Sequence, residues 1–272
     1  IGYGTYKSTD GSGGRIIHMA LEAGYRLLDT AAVYENETEV GTAIRESGVP
    51  REEIFLTSKV WKDRLGYEAT KKSFEESLER LQTDYLDLFL IHWPKPDPDS
   101  KDWKELDRGS WAAMEEFYHQ GKVKAIGLSN FLPHHIEALL ETAKVRPMVN
   151  QLELHVGYMQ ELAVQYCKSQ HIQVQAWSPL GRRRVLEEPL VAKMAEKYGL
   201  TPAQFLLTFL LEQGIGVIPK ASSMERLKQN LELPDVQIAE EDLYLLRCLP
   251  QIGWGGEHPD LPRVQEQKGL GV

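Results

Sequence analysis

Short apolar runs recur along the chain at residues 2–6, 26–29, 54–59, 87–92, 124–129, 148–151, 172–177 and 216–220. Each has the length of a strand. Most are continuously apolar rather than alternating, the pattern of strands covered on both faces in a parallel sheet. Helices are expected between them. In residues 70–81, Phe74, Leu78 and Leu81 stand at i, i+4 and i+7 among Lys and Glu, one buried stripe on a surface helix. Residues 133–143 repeat the pattern with Ile136, Leu139 and Leu140, opening on Pro133, whose missing N–H costs nothing in a first turn. Thr201 as N-cap and Pro202 at the first helical position start another helix before Phe205, Leu206, Phe209 and Leu210.

Eight strand–helix units predict an α/β protein of the (β/α)8 TIM barrel class. One domain is expected over residues 1–272, with residues 251–272 as a tail across the active-site rim. An open doubly wound sheet is the rival, but its Gly-x-Gly-x-x-Gly fingerprint is missing. Lys7 stands where the third glycine belongs after Gly2 and Gly4, and Ile16 does so after Gly11 and Gly13. Neither a Walker loop nor a Gly-x-Ser-x-Gly elbow occurs.

Charge narrows the partners. With 31 Lys+Arg against 40 Asp+Glu, the net charge of −9 repels phosphate backbones, so nucleic acid is not expected as a partner. Cys167 and Cys248 are the only cysteines, too few for a disulfide framework or a zinc ribbon, which suits a reducing cytoplasm. No stretch reaches the ~20 apolar residues that span a bilayer, so no membrane partner is expected.

In such a barrel the active site lies at the C-terminal ends of the strands. Read in order, those ends carry Asp29, Lys59, His92, Ser129 with Asn130, Gln151, Trp177 with Ser178, and Lys220. Each alone has an ordinary reading as a helix cap, a solvated ammonium or a core histidine. Their coincidence at one rim points to chemistry. Asp29, Lys59 and His92 end successive strands, with Tyr34 on the loop after Asp29. A phenol of pKa ~10 is a weak acid at neutral pH, but a nearby ammonium can lower it by about one to three units. Lys59 is expected to do this, Asp29 to hold Lys59, and a neutral His92 to donate a hydrogen bond to a substrate oxygen. Such a set suits carbonyl reduction.

These residues stand in motifs. Leu28-Asp29-Thr30-Ala31 with Tyr34, Thr57-Ser58-Lys59, Leu90-Ile91-His92-Trp93-Pro94, Gly127-Leu128-Ser129-Asn130-Phe131, Asn150-Gln151, Trp177-Ser178-Pro179-Leu180 and Ile218-Pro219-Lys220 occur in that order. The chain thereby resembles the aldo-keto reductases from about residue 2 to about residue 250, most of all small bacterial members of the diketogluconate- and methylglyoxal-reductase type. The resemblance implies Tyr34 as general acid, Lys59 and Asp29 behind it, and His92 orienting the carbonyl. It implies NADPH/NADP+ as cofactor, no metal, and a small-molecule carbonyl substrate such as an aldehyde, dicarbonyl or keto sugar. A monomer is the family habit.

For the cofactor, Ser129, Asn130 and Gln151 suit a nicotinamide carboxamide and Trp177 offers a face for stacking, although many relatives carry tyrosine there. Lys220, Arg226, Gln229 and Asn230 suit the adenosine phosphate end, Arg226 and Asn230 sharing a helix face. Ala221 replaces the serine many relatives carry after this lysine, with Ser222 one residue on. Gly4, Thr5 and Tyr6 resemble the family's cofactor-side segment, and Ser178 and Leu180 its pyrophosphate contacts. At least two of Arg182, Arg183 and Arg184 are expected to be solvated. Trp61 and Trp93 are expected to line the substrate pocket, with Trp254 either entering it or packing on the barrel. His134 and His135, adjacent on a helix, are expected to point apart and hold no metal. The rivals are a cofactor-sensing regulatory subunit and a phosphate-binding isomerase or hydrolase, the latter lacking its carboxylate base or metal cluster.

Overall fold

The computed structural model describes residues 1–8 and 14–261. Its eight strands are parallel and paired in chain order: β1 (Tyr3–Gly4), β2 (Leu27–Asp29), β3 (Phe55–Val60), β4 (Leu86–Ile91), β5 (Val123–Ser129), β6 (Val149–Glu153), β7 (Gln173–Trp177) and β8 (Gly216–Ile218). Between them run α1 (Arg15–Glu22), α2 (Glu37–Glu46), α3 (Tyr67–Leu81), α4 (Trp103–His119), α5 (Pro133–Leu140), α6 (Glu161–Ser169), and then α7 (Pro189–Lys197) with α8 (Pro202–Glu212). α9 (Met224–Leu231) and α10 (Glu240–Arg247) follow β8. The sheet comes round on itself where Gly2 N–H bonds Val217 O at 2.8 Å and Gly4 N–H bonds Pro219 O at 3.1 Å. This is the (β/α)8 barrel that the apolar runs predict.

Local chemistry sets the boundaries. Thr201 caps α8 as expected, its Oγ1 accepting from Gln204 N–H at 3.2 Å while Gln204 Oε1 accepts from Thr201 N–H at 3.1 Å. Such a cap stabilises a helix by about 1 kcal/mol. Strand ends depart from the apolar runs by a residue or two. His92 lies just past β4, still bonded through its N–H to Val60 O at 3.1 Å, whereas Pro219 has no N–H with which to carry β8 on to Lys220. Helix α5 stops at Leu140, short of Ala143, where the Thr142 and Ala143 amides both turn back to Leu139 O.

Strand alternation sorts the side chains into two layers. On β4, Phe89 and Ile91 face outward into the main core, where Phe74 stacks on Phe117 at 4.1 Å, while Leu88 and Leu90 meet Val149 in a separate cluster. His92 continues that inner row and so reaches the barrel mouth. On α3 the buried stripe is Thr70, Ser73, Phe74, Ser77 and Leu81, with Leu78 only half-buried. Two serines thus occupy positions that a purely apolar pattern does not expect. Helix α2 crosses the end of α3 at Gly41, where a Cβ would collide with the Leu81 carbonyl.

Candidate active site

The inner rows of β2, β3 and β4 bring Asp29, Lys59 and His92 together at the barrel mouth, and the 3-10 turn Ala32–Tyr34 places Tyr34 over them. Lys59 is wholly enclosed, and its ammonium donates to Asp29 Oδ1 at 2.6 Å, to Thr30 O at 2.9 Å and to the Tyr34 hydroxyl at 3.5 Å. Three N–H groups meet three acceptors, which fixes the direction of the charge. The Asp29 Oδ2 atom accepts from Gln151 Nε2 at 2.8 Å, so both carboxylate oxygens are held. The His92 ring lies 5.6 Å from Tyr34 and 5.0 Å from Trp61, edge to face in both cases.

Electrostatics follow burial. Desolvation lowers the Lys59 ammonium, and Asp29 first and then Glu37 oppose it. His92 is pushed well below the ordinary imidazole range by burial and by the Lys59 charge, so at neutral pH it is the neutral hydrogen-bonding group the sequence predicts. Its Nδ1 is buried without a protein partner. A lone pair left unpaired is tolerated better than an unpaired N–H, which favours the tautomer with its proton on Nε2. For Tyr34 the expectation is reversed. Burial pushes the phenol well above its usual value, Asp29 and Tyr6 add to the rise, and Arg182 opposes it. The Lys59 charge is committed to Asp29 at 2.6 Å and stands farther from the phenol, at 3.5 Å. Tyr34 therefore keeps its proton across the neutral range.

A cavity of about 1010 Å³ opens over these groups and extends to the end of β8. Of the catalytic, cofactor and substrate residues expected from the sequence, Gly4, Tyr6, Asp29, Tyr34, Trp61, His92, Trp93, Asn130, Gln151, Trp177, Ser178, Leu180, Lys220, Ser222, Arg226, Gln229 and Asn230 line it. Three do not. Lys59 lies behind Asp29 and Tyr34, Thr5 is fully buried, and Ser129 turns its hydroxyl to Gln151 O at 2.9 Å. The polar groups expected to grip a carboxamide are tied to one another: Asn130 Nδ2 donates to His92 O at 2.9 Å, and Trp177 Nε1 donates to Asn130 Oδ1 at 2.8 Å. The second bond fixes the plane of the half-exposed indole. Asn130 (φ 64°) and Ser178 (φ 50°) both turn the chain through the left-handed region as it leaves β5 and β7. Such strain, of order 1–3 kcal/mol, clusters where a site must be shaped.

Lys220 Nζ donates to Tyr6 O at 3.0 Å and to Lys7 O, joining the end of β8 to the loop after β1. Arg182 and Arg183 are exposed, as at least two of the three arginines were expected to be, yet both line the cavity, Arg182 5.7 Å over the Trp177 ring. Arg184 instead donates to Trp254 O at 2.6 Å. Trp254 packs beside Tyr158, ring centres 6.1 Å apart, and is outside the cavity, whereas Glu257 from the same segment lines it. Of residues 251–261 Glu257 thus reaches the cavity, and residues 262–272 of the expected tail lie outside those described. Lys62, Glu257 and the Thr201–Ala203 turn are lining residues the sequence reading missed. Of these, Lys62 could have been found from the sequence as the cation next to the pocket residue Trp61.

His134 and His135 do not point apart. Their rings lie 3.9 Å apart and both Nε2 atoms approach Asp260 Oδ1, at 2.9 and 3.0 Å. Leu132 N–H is given to His135 Nδ1 at 3.1 Å, which puts the proton of the neutral His135 ring on Nε2. His134 Nε2 and Asp260 Oδ1 are hydrogen-bonded, which fastens the tail to the start of α5, while the buried His135 Nε2 lies 3.0 Å from the same oxygen without a hydrogen bond. Burial, helped by His134, pushes the His135 imidazole down to about 3. Below the ordinary value of ~6.5 the unfolded chain takes up a proton that folded His135 refuses. Stability from this group is therefore complete above ~6.5 and is lost as pH falls toward about 3, by up to ~1.4 kcal/mol per pH unit. His135→Gln is expected to flatten the acid side of a plot of Tm against pH. An unchanged slope would show that His135 does not carry it.

Comparison with known proteins completes the picture. Residues 1–248 match the model of the Aldo/keto reductase family. The chain belongs to the aldo/keto reductase family. It is 43% identical over 260 residues to the glyoxal reductase of Bacillus subtilis, covering 95% of this chain and 91% of that one. With methylglyoxal reductase DkgA of Salmonella typhimurium it shares 37% identity over 262 residues, 96% of this chain and 92% of the relative. Among solved structures it resembles the Bombyx mori aldo-keto reductase in complex with NADP, with a TM-score of 0.82, 34% identity, and 91% and 87% of the two chains covered. An aldo-keto reductase from a Medee basin deep-sea metagenome library superposes with a TM-score of 0.85 at 42% identity, over 92% and 90%. This aldo/keto reductase is accordingly an oxidoreductase that acts on carbonyl groups. Among its described residues no helix is long and apolar enough to cross a membrane.

Proposed function

We propose that the chain is an NADPH-dependent carbonyl reductase acting on aldehydes, dicarbonyls or keto sugars, with Tyr34 as general acid. The observation that carries the reading is the Tyr34 hydroxyl, 3.5 Å from the Lys59 ammonium and beside the His92 ring, at one end of a cavity whose other end is lined by Lys220 and Arg226. In a chain of net charge −9, cations gathered on one groove suit a polyanionic nucleotide. The immobilised Trp177 face suits a flat ring. When bound, NADPH would supply the hydride.

The protein's own groups do the rest. His92 donates from Nε2 to the substrate oxygen and sets the carbonyl at the mouth of the barrel. Tyr34, fully protonated at neutral pH, gives its proton to that oxygen as negative charge develops there. Lys59 then stabilises the phenolate left behind, held in place by Asp29. Trp61 and Trp93 wall the substrate end and keep water from the reacting carbonyl. Relatives named as glyoxal and methylglyoxal reductases favour small dicarbonyls within this class. In this reading the protein works in the reducing cytoplasm, which suits its unpaired Cys167 and Cys248.

The test is NADPH consumption with glyoxal, methylglyoxal, simple aldehydes and a keto sugar, repeated with NADH. Turnover on the dicarbonyls is expected. Tight NADPH binding without turnover on any of them would overturn the reading in favour of a cofactor sensor. Arg226→Ala is expected to raise KM for NADPH about 10- to 100-fold, the loss of one charge-assisted contact, and to leave KM for NADH within about twofold. Equal effects on the two cofactors would move the 2′-phosphate contact away from Arg226.

A further inference from the structure

Most arginine side chains of this protein are tied to a carboxylate or a carbonyl, as Arg51 is to Asp87 at 2.9 Å and Arg184 to Trp254 O at 2.6 Å. Among the described residues, Arg15, Arg182, Arg183 and Arg226 are the arginines whose guanidinium makes no hydrogen bond or ion pair, and all four are exposed. Arg15 lines a separate surface pocket beside α1. The other three line the large cavity, so the unpaired guanidinium groups gather where cofactor and substrate are proposed to bind.

Arg182 and Arg183 stand on a turn of uncommon shape. Gly181, Arg182 and Arg183 lie one after another in the left-handed region, at φ 53°, 50° and 73°, which a residue with a Cβ adopts only where its surroundings impose it. Gly181 N–H bonds Ser178 O and Arg183 N–H bonds Leu180 O, both at 2.8 Å, and the Arg184 side chain ties the turn to the tail. Its backbone is pinned while the Arg182 guanidinium lies 5.7 Å over the Trp177 ring, itself fixed by Asn130. Arg182 is near enough to the acid end of the cavity for its charge to act on the Tyr34 phenol.

A guanidine with free N–H groups condenses with two adjacent carbonyls. The guanidinium first gives one proton to water. Each terminal nitrogen then adds to one carbonyl carbon, so that two C–N bonds form and two N–H protons pass to the oxygens, which become hydroxyls on a five-membered ring. Loss of one water leaves a ring carbonyl that withdraws electrons and makes the group much less basic. No external oxidant or reductant is needed. A guanidinium held by a carboxylate has the same nitrogens engaged, which leaves the unpaired ones as the available nucleophiles.

Resting on the reductase reading above, we propose that Arg182 is a modification site for vicinal dicarbonyls, to which a substrate of this class adds covalently when no nucleotide covers the groove. The cavity that admits a dicarbonyl to Tyr34 also brings it to this guanidinium. Ser178 and Leu180, expected at the pyrophosphate, belong to the same turn, so a bound nucleotide shields it. Dicarbonyl in excess over NADPH therefore inactivates the protein by discharging part of its cationic groove.

The test treats the nucleotide-free protein with methylglyoxal near neutral pH and follows each arginine by peptide mass spectrometry. An adduct with the mass of one methylglyoxal, or that mass less one water, is expected on Arg182 ahead of Arg15. NADP+ at a tenfold excess over its Kd should slow the reaction at Arg182 about tenfold and leave Arg15 unchanged. Arg15, exposed and unpaired but outside the cavity, reports what exposure alone does. Equal rates at the two residues, or a rate at Arg182 that NADP+ does not slow, would overturn the proposal. In Arg182→Lys, the loss of NADPH binding on exposure to methylglyoxal should be several-fold slower than in wild type; an unchanged rate would place the damage elsewhere and overturn the proposal too. Methylglyoxal turnover without an adduct at Arg182 sinks this proposal alone, whereas a protected adduct without NADPH consumption sinks the reductase reading alone.

Discussion

Tyr34→Phe is expected to lower kcat for carbonyl reduction by about 10²- to 10⁴-fold, the usual contribution of a positioned general acid. The change deletes one oxygen. The ring keeps its neighbours, Tyr6 at 5.0 Å and His92 at 5.6 Å, so neither the fold nor NADPH affinity should change by more than a few-fold. Since burial and Asp29 hold the wild-type phenol above its usual range, the proton is present throughout neutral pH and the wild-type rate should not fall as pH rises through that range. Steady-state rates beside a direct NADPH-binding titration separate the two effects. Retention of more than about a tenth of wild-type kcat would move the acid role to His92 or to water.

Lys59→Met should do damage of a different kind. It removes the group that stabilises the phenolate and also strands the buried Asp29 carboxylate, left with the Gln151 amide at 2.8 Å. Breaking one side of a buried ion pair typically destabilises by about 3–5 kcal/mol. For a protein of this size that is a fall in Tm of roughly 10 °C. The double variant Lys59→Met with Asp29→Asn has no uncompensated charge and should recover part of that loss while remaining catalytically crippled. A double variant less stable than Lys59→Met would mean that the pair contributes little to the fold.

The barrel and the mouth of the site were legible for one reason: inner-row residues at strand ends must converge, whatever the loops do. Asp29, Lys59 and His92 follow from that geometry. What lies between them does not. That Gln151 would hold Asp29, or that Asn130 would fix the Trp177 plane, depends on side-chain directions across three strands, which periodicity does not contain. The same limit explains His134 and His135. A helix carries adjacent side chains about 100° apart, but Asp260 arrives from a distant part of the sequence and draws both rings to one oxygen. Proximity to Lys59 alone points the Tyr34 shift downward, but burial is the first cause of its rise and the Lys59 ammonium is paired with Asp29.

The barrel has one thinly stitched seam. β1 pairs with β2 at only two positions, and two backbone hydrogen bonds join it to the end of β8. Lys220 clasps the same joint from above through the Tyr6 and Lys7 carbonyls. The groove between Tyr6 on one side and Lys220 with Arg226 on the other runs directly over this joint. A nucleotide lying there behaves as a rivet across a hoop. Bound there, it would stabilise the folded barrel by about 2.7 kcal/mol at a hundredfold excess over its Kd. With β1 and β8 this short, a nucleotide in the proposed site would add contacts across a joint that the sheet itself makes sparsely.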